Sequence, residues 1–262
     1  KLKRNLKDDV AITVYEKDRV LSVGACGIPF YVAGDFDDAN TLVERTPEEF
    51  RAAGIDVKMR HEAVSVDRAN KTVTIRNHDT NETFDDNYDK LIVASGARVR
   101  RIPPFNDSWE NLHTVRTLDD AIELRKDLEN KSVKNVIVTG AGFIGLEIAE
   151  SCAKKGKKVL VVEFANRILS NMDPEITDRL GAVLNENGVQ FCTDAKVTKL
   201  DCDGKRILEV IVESSKGEEK IPADLVVNCA GIVPNAEFID VKKAVNGAII
   251  VNDRMETSDP DI

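Results

Sequence analysis

Residues 140–145 read Gly140-Ala141-Gly142-Phe143-Ile144-Gly145, a GxGxxG run. Glycines so closely spaced belong where backbone must turn tightly or come close to another group. Alone the run is weak, but its surroundings complete a pattern. Val136-Ile137-Val138 reads as a strand before it, residues 143–154 as a helix after it, and Val159-Leu160-Val161-Val162 as a second strand. That strand ends at Glu163, 18 residues past Gly145. A strand, a glycine turn, a helix and an acid at the next strand end form a dinucleotide-binding βαβ unit. Gly140 permits the turn, Gly142 lets backbone approach a pyrophosphate, and Gly145 lets helix and strand pack closely. The helix N-terminus, starting at Phe143 and Ile144, offers N–H groups and partial positive charge to the phosphates. Glu163 can accept from both ribose hydroxyls and would repel a 2′-phosphate, so NADH is expected over NADPH. Arg167, four residues on, is the rival feature, because an arginine there can accommodate that phosphate.

The rest of the chain extends this alternation. Helices are predicted over 118–128 and from Asp173-Pro174-Glu175 to about Asn187, with strands at 189–191, 207–212 and 225–228. Upstream, Val10–Tyr15 ends at Glu16 like a buried parallel strand, and 57–60, 63–66 and 72–75 alternate like strands. Leu91-Ile92-Val93-Ala94 reads as a fully apolar strand. Thr46-Pro47-Glu48-Glu49 is a capping box with proline at the first helical position. Residues 1–7, with Leu2 and Leu6 one turn apart, resemble the end of an amphipathic helix, whose Lys1, Lys3 and Arg4 are read as a solvated helix end. The basic, proline-containing stretch 98–104 is the expected domain boundary. The fold class expected is α/β with two Rossmann-like units.

Composition bounds the function. The 262 residues carry 37 Lys+Arg against 46 Asp+Glu, a net charge of −9, and no basic stripe that would mark a nucleic-acid or membrane-surface protein. No apolar run nears the roughly 20 residues of a membrane span, and no signal peptide is evident. The five cysteines, at 26, 152, 192, 202 and 229, form no CxxC or metal-ligand pair. They read as free thiols in a reducing, cytoplasmic compartment, and no metal is expected. Four of them are read as structural. The three histidines, 61, 78 and 113, stand in no catalytic motif and are read as surface or packing residues.

Cys26 stands apart within Gly24-Ala25-Cys26-Gly27-Ile28-Pro29. Flanking glycines admit close approach of a ligand, and Pro29 suits the first turn of a helix whose N-terminus would favour a thiolate.

The ordered segments Val14-Tyr15-Glu16-Lys17-Asp18, Cys26-Gly27-Ile28-Pro29-Phe30 and 88–97, ending Ala94-Ser95-Gly96-Ala97, form a distinctive set. The GxGxxG unit, then 228–235 and Thr257-Ser258-Asp259-Pro260-Asp261-Ile262, complete it. Together they resemble the FAD-dependent pyridine nucleotide–disulfide oxidoreductases. The branch they resemble is the single-cysteine one of coenzyme A disulfide reductases, NADH oxidases and NADH peroxidases. The resemblance implies an FAD-binding domain over 1–104 that resumes at 233–262, with an NADH-binding domain over 105–232 inserted in it. It implies that Glu16, with Lys17 beside it, holds the FAD adenosine ribose, and that Ser95-Gly96 form a turn against FAD. It places Glu147 near the nicotinamide and flavin, and Cys26 as the redox centre, with Ser22 on the substrate side. Relatives carry a further FAD glycine motif before the opening helix, a Gly-Asp motif after the final segment, and a dimerisation domain. The sequence given has none of these, so the FAD site is expected to be incomplete here, and a homodimer is expected of the full-length protein.

The activity implied is NADH-driven reduction of a small disulfide such as coenzyme A disulfide, through FAD and Cys26. The lone thiol could instead cycle through a sulfenic acid in an NADH oxidase or peroxidase. A third reading is a non-catalytic, NADH-binding redox sensor. Pro29 and Phe30 favour the disulfide side. Val23 and Ala25 depart from the Ser-Phe-x-Asn-Cys pattern of that branch.

Overall fold

The structure is a computed structural model and describes residue 5 and residues 10–105 and 109–262. The helix end expected over residues 1–7, with Lys1, Lys3 and Arg4, lies outside the described residues except for Asn5.

The chain divides into two compact units. The first comprises the described residues of Lys1–Gly24 with Thr41–Arg98 and Val233–Ile262, and the second Ala25–Asn40 with Val99–Ile232. The domain expected over 1–104 includes residues 25–40. Here the segment packs instead with 99–232, because its short helix Ile28–Ala33 buries Ile28, Pro29, Tyr31 and Val32.

The second unit is built on a five-stranded parallel sheet in the order Val189–Cys192, Lys158–Val162, Asn135–Thr139, Leu225–Asn228, Leu112–His113. Central strands buried on both faces must be apolar throughout. Val136, Ile137 and Val138 are each at most 1% exposed, as are Leu225, Val226 and Val227. Helices Leu118–Glu129, Phe143–Lys154 and Pro174–Glu186 supply the crossovers. A separate antiparallel sheet of Ala195–Asp203, Arg206–Ser214 and Gly217–Pro222 contributes Val197, Ile207, Val210 and Val212 to a core shared with Phe105, Ile137 and Val226.

In the first unit, Thr13–Glu16 pairs in parallel with Asp56–Met59. An antiparallel sheet of His61–Asp67, Thr72–Asn77 and Thr83–Asn87 follows. The capping box forms as expected: Thr46 N–H donates to Glu49 Oε2 at 2.8 Å, and Glu49 N–H to Thr46 Oγ1 at 3.3 Å, opening helix Pro47–Ala52. Leu91–Ala94 is not a strand. Apolar character alone does not make a ladder, and Ile92 is left 71% exposed. The final residues return to this unit. Asp261 accepts from Lys71 and Lys90, each at 2.6 Å, and Leu91 N–H donates to Asp261 O.

Candidate functional site

The glycine loop leaves strand Asn135–Thr139 and enters helix Phe143–Lys154 with Gly142 as its N-cap. Gly140 has φ +94°, and a Cβ there would lie 2.6 Å from Cys229 O. A Cβ on Gly145 would collide with Gly140 O, whereas one on Gly142 would meet nothing within 4 Å. The first and last glycines are thus demanded by the fold. The middle one faces open space, leaving the loop backbone accessible to a ligand.

That space is a cavity of about 510 Å³, lined among others by Gly140, Gly142, Glu163, Phe164, Lys196 and Gly231. Glu163 is half-buried and pinned at both oxygens: Ala141 N–H donates to Oε2 at 2.5 Å and Ala165 N–H to Oε1 at 2.7 Å. The side chain therefore braces the loop as well as facing the cavity, a bond the motif alone did not reveal. Phe143 and Ile144, 55% and 46% exposed, open the helix, and Gly145 is buried beneath it. Arg167 turns to Ser170, donating from Nη2 to its carbonyl oxygen at 2.9 Å.

A second brace was also not read from the motifs. Buried Asn228 ends its strand beside the loop, and Thr139 Oγ1 donates to its Oδ1 at 3.0 Å. Its Nδ2 donates to Arg100 O at 2.9 Å. An amide after three valine-like strand residues was the available signal, since a buried polar group must be paired.

Cys26 lies in the turn Ala25–Gly27 just before helix Ile28–Ala33 and is exposed. The other four cysteines are not exposed. Burial pushes the Cys152 thiol up to about 12. Cys229 is only half-buried as a residue, yet burial of its thiol likewise pushes it up to about 12. Cys229 directly follows strand Leu225–Asn228. The helix after Cys26 packs on helices Leu118–Glu129 and Phe143–Lys154, and Glu147 is an exposed residue of the latter.

Glu16, Lys17, Ser22, Ser95 and Gly96 lie in the first unit. Glu16 ends its strand half-buried, accepts from Asp18 N–H at 2.8 Å, and is raised by burial above the usual carboxylate range. Lys17 is exposed, and Ser22 sits in the two-residue strand Ser22–Val23 paired with Val43–Arg45. Ser95 Oγ donates to Asn235 O, Asn235 Nδ2 returns to Ser95 O at 3.0 Å, and Asn235 N–H donates to Gly96 O. The turn at Gly96, with φ +64°, is thereby fastened to a residue 140 positions further along the chain from Ser95.

The histidines have structural partners: His61 with Met59 O, His78 with Glu62, and buried His113 with Asp127. Among the described residues no group of His, Cys, Asp and Glu is placed to hold a metal ion, and no helix is long and apolar enough to cross a membrane.

A family model for pyridine nucleotide-disulphide oxidoreductases matches residues 1–262. An NADH oxidase of Enterococcus faecalis is 36% identical over 262 residues, 97% of this chain and 56% of that protein. A coenzyme A disulfide reductase of Staphylococcus epidermidis is 29% identical over 263 residues, 99% of this chain and 58% of that one. The solved structure of water-forming NADH oxidase from Lactobacillus brevis bound to NADH superposes with a TM-score of 0.87. Its identity is 30%, over 99% of this chain and 57% of that one. Reduced CoADR-RHD of Bacillus anthracis gives 0.89 at 28% identity, over 98% and 46%. The chain spans little more than half the length of the curated relatives it matches. The match runs through both units rather than through the glycine loop alone, and the chain belongs to the pyridine nucleotide-disulphide oxidoreductase family.

Proposed function

We propose that the protein is an FAD-dependent NADH oxidoreductase in which Cys26 reduces a small disulfide, with coenzyme A disulfide as the model substrate. The observation that carries the nucleotide half is the cavity in which the open face of Gly142 meets the pinned carboxylate of Glu163. A dinucleotide pyrophosphate fits the uncapped helix start, and its adenosine ribose fits Glu163. A 2′-phosphate would meet a carboxylate held by two N–H donors, so NADH is the substrate over NADPH. On this reading residues 105–232 form the NADH domain and 1–104 with 233–262 the FAD domain, whose segment 25–40 is seated on the helices of 105–232.

The first unit suits FAD at Glu16. A half-buried carboxylate that burial raises is a partly desolvated acceptor, to which ribose hydroxyls would add donors beside the backbone N–H of Asp18. Ser95-Gly96 offers a fixed turn against the same group. FAD, when bound, supplies two-electron exchange between NADH and sulfur. Cys26, as thiolate, attacks one sulfur of the disulfide and forms a mixed disulfide, expelling the other sulfur as a thiolate that takes up a proton. Two electrons and a proton then release the second thiol and restore Cys26. One NADH and one proton are consumed for each disulfide cleaved to two thiols. Glu147, exposed on the helix that carries the cavity's loop, is assigned a place beside the reacting ring.

The second reading, an NADH oxidase or peroxidase with a Cys26 sulfenic acid, is favoured by the 36% identity to the Enterococcus protein. Turnover of the full-length protein with coenzyme A disulfide, O2 and H2O2 separates the two. With either acceptor, Cys26→Ser should lower turnover by roughly a thousandfold or more and leave NADH binding intact. Full activity in that variant would end both readings.

A further inference from the structure

Helix Ile28–Ala33 has only six residues, too few to hold itself in water. Its place, and that of the thiol just before it, must come from what it rests on. Beyond its buried apolar face, two polar side chains of the second unit grip it, one at each end.

At the start, Ser151 is 3% exposed, and its Oγ lies 2.9 Å from Pro29 O and 2.7 Å from Glu147 O. A serine inside a helix ordinarily returns its proton to the carbonyl four residues back, here Glu147. The one hydroxyl proton is shared between that carbonyl and Pro29 O, three residues after Cys26. At the far end, Arg125 is 9% exposed. Its Nη1 donates to Tyr31 O at 3.3 Å and Phe36 O at 2.5 Å, and its Nη2 to Asp37 at 2.6 Å. The guanidinium lies 4.6 Å from the Tyr31 ring centroid, and Nε is held by Glu129 at 2.9 Å. Tyr31 O also accepts from Gly34 N–H at 3.0 Å, while Phe36 O and Asp37 lie just past the helix end. An arginine fork fits them where a lysine could not.

We infer that Ser151 and Arg125 are positioning residues for Cys26, fixing the thiol-bearing turn to the helices of the nucleotide-binding unit. This rests on the reading of Cys26 as the reactive thiol. Neither residue lines the cavity beside Glu163, so their loss should alter the thiol and not the dinucleotide.

The test uses the full-length protein with Ser151→Ala, Ser151→Thr, Arg125→Met and Cys26→Ser. Three quantities are read: NADH affinity, kcat against KM for the disulfide, and the pH profile of Cys26 alkylation by iodoacetamide, resolved by peptide. Ser151→Ala should lower kcat about tenfold and displace the alkylation profile, with NADH affinity unchanged. Ser151→Thr should restore both. Arg125→Met should act in the same direction, and if it fails to fold, Ser151→Ala decides alone. A folded Ser151→Ala protein with unchanged kcat and alkylation profile would overturn the inference, as would failure of Ser151→Thr to restore them. Full turnover in Cys26→Ser would sink the functional reading instead, while the alkylation profile still tests the placement.

Discussion

Among the described residues Glu16 ends a strand with a single parallel neighbour, Asp56–Met59, whereas Glu163 follows a strand flanked by Asn135–Thr139 and Val189–Cys192. Both acids accept an N–H from two residues further on, Asp18 in one unit and Ala165 in the other. Glu163 adds the bond from Ala141 across the glycine loop. The same local turn thus yields a braced acceptor in one place and a partly desolvated one in the other. A strand-end acid becomes a rigid selector when a loop closes on it, not merely by standing at the end of a strand.

The sharpest way to break the glycine half of this contrast is Gly145→Ala. Its methyl runs into Gly140 O, and overpacking of this kind costs about 3 kcal/mol. Urea denaturation should show that loss, and NADH binding should go with it. Gly142→Ala meets nothing in the fold, so stability should hold while NADH affinity falls. A strong loss of stability there would contradict an open loop face.

Next in size is the acid itself. Glu163→Ala removes two charge-assisted bonds, and we expect about 1–3 kcal/mol less stability and NADH binding weakened about 10- to 100-fold. The preference for NADH over NADPH should narrow in the same titrations. Glu16→Ala should leave NADH affinity unchanged and weaken flavin retention in the full-length protein. An effect of Glu16→Ala on NADH affinity equal to that of Glu163→Ala would erase the distinction.

The smallest effects are in acid. Glu16 is raised by burial, so it favours the folded form at low pH and loses that advantage as pH climbs through its folded value. Asp261 runs the other way: Lys71 and Lys90 lower it from 3.8 to about 2, so its stabilisation is present above 3.8 and fades toward 2. Thermal melts between pH 2 and 6 should show Asp261→Asn reducing acid sensitivity below about 4. Glu16→Gln should flatten the opposing trend above that. Identical melts for parent and variants would show that neither group is coupled to folding.

Gly140 and Gly145 were legible because the fold leaves no room for a side chain at either point. Thr46 and Glu49 were legible because unpaired N–H groups at a helix start call for such acceptors. Gly217–Pro222 was not, since Glu218, Glu219 and Lys220 on an exposed strand carry no apolar alternation. Leu91–Ala94 misled because strand character depends on a neighbour as well as on composition. The attachment of residues 25–40 to the second unit was hidden in Arg125, which reads as an ordinary helix charge until its fork and Tyr31 are seen together.

The chain passes between the two units four times, at Gly24, Asn40, Arg98 and Ile232. During synthesis, therefore, the parallel sheet of the second unit has all its strands once Leu225–Asn228 has emerged. The first unit cannot close until Val233–Ile262 arrives to place Asn235 on the Ser95 turn and Asp261 between Lys71 and Lys90. The nucleotide unit is thus able to mature on the ribosome ahead of its companion, whose early segments must wait for the last thirty residues of this sequence.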